Sequence, residues 1–266
     1  MVSLVRADLF KLRKRAMGWV MLVIVAAFAV LEMLSFAIIS PGSVNYSFPG
    51  GFVEGLAPVP IVGTFVLIVL GAMLIGSEYG YDTWKNLLIR RAGRAFFILS
   101  KWLSLLVATG VGLIVLLALG QLTGLLLDGA LHLAGPALSL SPGGVLIIIL
   151  MQALVPLVAG TVALMGAVIG RSSVAGIVIG IAWFSIDSLL GALFPLASVN
   201  SATIFIQARL AGVAMASNGS IDPVHLPGAL QGPLGLFPIA VVVFYLVVPV
   251  AVAVIVFRQR DMLGAT

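Results

Sequence analysis

Residues Gly144–Phe194 read GVLIIILMQALVPLVAGTVALMGAVIGRSSVAGIVIGIAWFSIDSLLGALF. Two apolar runs, Gly144–Ile169 and Val174–Phe194, flank the short polar turn Gly170-Arg171-Ser172-Ser173. Each run has the length, about 20 residues, that a helix needs to cross a hydrocarbon core of roughly 30 Å. A turn this short forces the second run back antiparallel to the first. Gly166-x-x-x-Gly170 and Gly176-x-x-x-Gly180 place paired glycines on facing helix surfaces, so the hairpin is expected to be tight.

The same reading extends outward. Four further runs, Met17–Ile39, Ala57–Gly76, Ser100–Leu127 and Phe237–Phe257, complete six predicted spans. Overall 62% of residues are hydrophobic and 9% are charged, whereas soluble domains carry about 25% charged residues. The runs are continuous rather than alternating in ten-residue segments, which argues against a β-barrel. The expected fold is an all-α integral membrane protein, one transmembrane domain over residues 1–266. The first run is too long and too well anchored for a cleaved signal peptide and reads as a signal anchor. Gly120-x-x-x-Gly124 is a third small-residue packing pattern.

Orientation follows from the basic residues. All but Arg209 of the 14 Lys and Arg residues fall on one side of the predicted spans. The positive-inside rule makes that side cytoplasmic, with both termini there, in the inner (plasma) membrane. The net charge of +5 is thus a topology signal rather than a nucleic-acid footprint. Within residues 1–16, Val2, Val5, Leu9, Leu12 and Ala16 share one helical face with most basic residues off it. Two readings suit this pattern: an interfacial amphipathic helix, or a basic anchor that only fixes topology. The outer connection Pro195–Leu236 is long and partly apolar, so part of it is expected to lie on the membrane surface or dip into it. No internal repeat or soluble domain is evident.

The chemistry the chain lacks is also informative. There are no cysteines, which excludes disulfides and thiolate metal sites. No Gly-Lys dipeptide occurs, so the phosphate-binding loop that cradles ATP is missing. No catalytic residues, no metal site and no cofactor are expected on this chain. His132 and His225 lie in different outer loops and read as solvated. Glu32 and Asp187 fall inside predicted spans. Acids in lipid normally face protein or water, so these two are candidate translocation-path residues. The alternative is that each lies near the interface, protonated or hydrogen-bonded to a neighbouring helix.

The most informative stretch is Gly76-Ser-Glu-Tyr-Gly-Tyr-Asp-Thr-Trp-Lys-Asn-Leu-Leu-Ile-Arg-Arg-Ala-Gly-Arg-Ala-Phe-Phe-Ile-Leu-Ser-Lys101. Asp82 or Thr83 can cap a short helix. Trp84, Leu87 and Leu88 then share a face that can enter a groove on a cytoplasmic partner. An interfacial loop pinned by aromatic and basic residues is the plainer reading.

This stretch resembles the type-2, exporter-class permeases of ATP-binding-cassette (ABC) transporters. Those proteins open with a basic leader, as in Leu9-Phe-Lys-Leu-Arg-Lys-Arg15. After the second span they carry a glutamate, a Gly-Thr-aromatic turn, leucines, then an arginine, aromatics and a lysine. Glu78, Thr83, Trp84, Leu87, Leu88, Arg94, Phe96, Phe97 and Lys101 match. Asp82 stands where glycine is usual, and the usual proline near residue 92 is absent. The resemblance implies a permease coupled to a separate ATPase through Glu78 and Thr83–Leu88. It also implies two permease copies, as a homodimer or with a close homologue, and two cytoplasmic ABC ATPase subunits that bind ATP and Mg. An ATPase-independent membrane scaffold subunit is the alternative. The transported substrate is not legible in the sequence.

Overall fold

The computed structural model describes residues 2–14, 16–40, 46–80, 94–131, 141–194, 197–212, 214–215, 221–222 and 236–260. Helix α1 covers Val2–Lys14, α2 Ala16–Ile39, α3 Gly50–Glu54 and α4 Thr64–Gly80. Then follow α5 (Arg94–Leu131), α6 (Pro142–Gly170), α7 (Ser173–Leu193), α8 (Val199–Ala211) and α9 (Leu236–Arg260). Between α8 and α9 two short strands, Ala214–Met215 and Ile221–Asp222, pair antiparallel. Six stretches are long and apolar enough to cross a membrane: Ala16–Ile39, Gly50–Gly80, Ala95–Leu131, Pro142–Gly170, Ser173–Leu193 and Leu236–Gln259. The protein is an all-α, multi-pass membrane protein.

The hairpin of α6 and α7 forms where the sequence requires it. Arg171 takes the left-handed conformation, φ 52°, that ends α6. Ser172 accepts a hydrogen bond from the Ala175 N–H at 3.1 Å and so starts α7. A Cβ added at Gly176 would stand 2.6 Å from the Ala163 carbonyl oxygen, and one at Gly180 2.9 Å from Ala163 Cβ. Helices surrounded by lipid gain little hydrophobic energy from meeting, so close backbone approach and the dispersion it allows must hold them together. The same device joins α4 to α6, where Gly71 and Gly160 touch backbone to backbone. It also joins α3 to α5: a Cβ at Gly120 would lie 2.6 Å from the Gly51 carbonyl oxygen.

The second span begins earlier than the predicted Ala57. It enters as α3, turns at Gly55–Pro58, passes through a π-helical turn at Val59–Gly63 and continues as α4. Gly50-Gly51 and the prolines at 58 and 60 look like a loop in sequence. In the fold, the glycines at 51 and 55 let this irregular segment lie against Gly120 and Gly124 of α5. Irregular backbone at membrane depth is tolerated where protein surrounds it, and Gly50, Gly51, Val53 and Glu54 are all buried.

Part of the long connection before α9 is also inside. Val199, at the start of α8, packs with Val155, Val158 and Val162 midway along α6. Ala211, at its other end, packs with Val53, Ala57 and Ile148. Helix α8 therefore starts half-way down the bundle and runs out to one end. At the opposite end, Ile75, Phe97, Ile98, Leu164, Ala167, Val168, Ala253 and Phe257 form a cluster that ties α4, α5, α6 and α9 together. The Phe97 and Phe257 rings stack there at 5.6 Å.

Candidate functional site

Four charged side chains meet where α1 crosses the ends of α4 and α5. Lys101 Nζ donates to Asp8 Oδ1 at 2.6 Å and to Glu78 Oε1 at 3.1 Å. Lys11 Nζ donates to the same Glu78 oxygen at 2.8 Å. The Lys101, Asp8 and Glu78 side chains are only 3%, 6% and 6% exposed, while that of Lys11 is 47% exposed. Lys101 also lies 5.1 Å over the Phe97 ring, a cation–π placement.

Each partner arrives for a local reason. α1 is amphipathic, with buried Val5 and Asp8 toward the bundle, Arg6, Arg13 and Lys14 outward, and Lys11 at the edge reaching in to Glu78. Glu78 occupies the last turn of α4, and Lys101 lies two turns into α5. Desolvating such charges is expensive, and a buried ion pair adds little net stability over apolar neighbours. Removing one partner, by contrast, strands a buried charge. The node therefore fixes α1 to the two helices that flank residues 81–93, and any change there is felt by all three elements.

Two further buried carboxylates lie elsewhere. Asp187 of α7 is 2% exposed. It accepts hydrogen bonds from the Val199 and Asn200 N–H groups at 2.8 and 3.3 Å. These are otherwise orphaned donors at the start of α8, and a carboxylate there also suits the helix dipole. Ser198 Oγ takes a third, from the Ser201 N–H at 3.0 Å. Glu54 is 4% exposed, with no hydrogen-bond donor against its carboxylate among the described residues. Next to it, the Tyr46 hydroxyl donates to the Met33 carbonyl at 3.0 Å. Burial, and then the Glu54 carboxylate, push the Tyr46 phenol up to about 12. Glu32, partly exposed on α2, is within electrostatic reach of Glu54.

A family model described as ABC-2 family transporter protein matches residues 4–187. The chain belongs to the ABC-2 transporter family. It is thus a permease subunit of an ABC transporter. The matched span runs from α1 to Asp187 and includes the whole charged node. No curated protein matches the chain.

In this ABC-2 permease the predicted coupling residues fall into two groups. Glu78 is described and lies inside the node, turned toward Lys11 and Lys101. Thr83, Trp84, Leu87 and Leu88 lie outside the described residues, as do His132 and His225. The two predicted path acids have different surroundings: Glu32 is within electrostatic reach of Glu54, whereas Asp187 faces α8 and Tyr245 of α9. Sequence reading missed Asp8 and Lys101 as partners, because 93 residues separate them. It also missed Glu54, which the late predicted start of the second span left in a loop. A capping signal for α8 was present in Ser198, but nothing local pointed to Asp187.

Proposed function

We propose that this permease subunit is the membrane half of an ATP-driven exporter, working as two copies with two copies of a separate cytoplasmic ABC ATPase. ATP and Mg bind on that partner. This chain has no Gly-Lys dipeptide with which to form a phosphate-binding loop of its own. The α1 end faces the cytoplasm, in keeping with the concentration of Arg6, Lys11, Arg13, Lys14, Lys101, Arg171 and Arg258 there and of Arg209 at the other end.

The observation that carries this reading is the buried node at the base of residues 81–93. Glu78 and Lys101 hold the two stems of that segment at a fixed spacing and clamp α1 across them. Thr83–Leu88 then forms the coupling helix, with Trp84 and Leu87 as anchors in the ATPase and Glu78 positioning it from behind. Of the acids in the spans, Glu32, beside Glu54, is the stronger candidate for the path; the cap on α8 occupies Asp187.

The test is pull-down of the ATPase and transport in membranes holding equal amounts of wild type and Trp84→Ala/Leu87→Ala. Buried anchors of this type commonly cost about 2 kcal/mol or more each when truncated. Binding and transport should both collapse while insertion is normal. Unimpaired binding would remove the coupling assignment.

A further inference from the structure

A lateral slot of about 460 Å³ opens between α1, α2, α4 and α5. Its size is within the roughly 300–1,000 Å³ typical of small-molecule sites. Its walls are apolar, from Val66 and Leu116 to Pro156 at its floor. Along α5 it extends from Val107 to Leu116, about 14 Å at 1.5 Å per residue. That is about half of a 30 Å hydrocarbon core, the depth of one leaflet.

Its rim is built differently. Arg13 and Trp19 stand there, and the Trp19 indole N–H donates to the Arg13 carbonyl oxygen at 2.9 Å. An indole and a guanidinium at the mouth of an apolar channel match the headgroup level of a bilayer. The Arg13 guanidinium has no acidic partner among the described residues. The acids nearest this end, Asp8 and Glu78, are held by Lys101.

We infer that the slot is a binding site for an anionic phospholipid, one acyl chain lying along α5 and the headgroup phosphate on Arg13. The site rests on the inward orientation proposed above only for its place in the cell. The lipid is a resident of the slot, and nothing here assigns it as cargo. Bound there, it fills the gap between α1 and α5 directly beside the charged node, because Leu12, Gly18 and Leu70 line both spaces.

Gly112 offers a way to close the slot without disturbing the fold, since a Cβ added there meets nothing within 4 Å. The full chain is placed in phosphatidylcholine nanodiscs with a trace of phosphatidylglycerol or phosphatidylcholine carrying a photoactivatable acyl chain. Labelled peptides are then mapped. Such discs present both faces alike, so the result does not depend on orientation or on the ATPase. The glycerol lipid should label residues around 107–116 about five-fold more than the choline lipid, the contribution of one basic residue near an anionic surface. Arg13→Gln should abolish that preference while leaving the basal label. Gly112→Phe should remove label from this stretch and leave labelling of α9 unchanged. Equal labelling by both lipids, indifference to Gly112→Phe, or a slot dark because two copies close over it, would each overturn the proposal.

Discussion

The buried carboxylates at the α1 end of this bundle and half-way along it are neutralised by different means. Near α1, Asp8 and Glu78 are answered by a full charge, Lys101, brought in from a separate helix. Beside α8, Asp187 is answered by backbone N–H groups and the partial charge of a helix terminus. Glu54, at the end of α3, has neither among the described residues. An ion pair between elements fails as a unit when one member goes. A cap loses only its own few hydrogen bonds. The comparison implies that the α1 end is the more brittle and the start of α8 the more forgiving.

The largest effect expected is at Lys101. Lys101→Met leaves Asp8 buried without its cation and Glu78 with only the half-exposed Lys11, and breaking a buried pair in this way costs about 3–5 kcal/mol. The thermal midpoint of the purified protein should fall steeply. Adding Asp8→Asn and Glu78→Gln should recover most of it, because the charges are then gone together. If the triple variant is no more stable than Lys101→Met alone, the node is not the cause.

A smaller effect is expected at Asp187. Asp187→Ala removes the cap, a loss of about 0.5–2 kcal/mol. Asp187→Asn keeps an acceptor oxygen and should lose less. Protection of the α8 amides against hydrogen exchange is the matching readout, and equal loss for both variants would contradict the capping role.

Much of the fold is legible in the sequence, and the reason is physical. Six apolar runs need no partner to be recognised, since the bilayer itself imposes their length. The tight hairpin follows from Gly170-Arg171-Ser172-Ser173 and the glycines around it. The start of the second span is not legible, because Gly50-Gly51, Pro58 and Pro60 are breakers in isolation and become part of a span only against Gly120 and Gly124. The same holds for the charged site. Glu78 stands out by resemblance, but its partners come from α1 and α5, and no local pattern joins them. Asp187 is conspicuous as an acid within a span, yet its role depends on α8 folding back so that Val199, twelve residues on, meets it, and no local pattern announces that return.

The smallest effect expected tests the hairpin. Arg171 in the left-handed region pays roughly 1–2 kcal/mol relative to glycine. Glycine in turn loses about 0.5–1 kcal/mol through unfolded-state freedom. Arg171→Gly should therefore change the thermal midpoint only slightly, and upward. A marked drop would show that the Arg171 side chain holds the turn.

Helix α5 runs 38 residues without an internal proline, whereas α6 is interrupted by Pro156 and α9 by Pro249. At 1.5 Å per residue it is about 57 Å long, close to twice the hydrocarbon core. Lys101 is near one end and the Gly120–Gly124 seam with α3 is about 29 Å further along. The helix is thus a single stiff strut joining the charged node to the seam with α3. A tilt imposed at Lys101 is expected to reach the α3 seam as a sideways stroke carried by the helix itself.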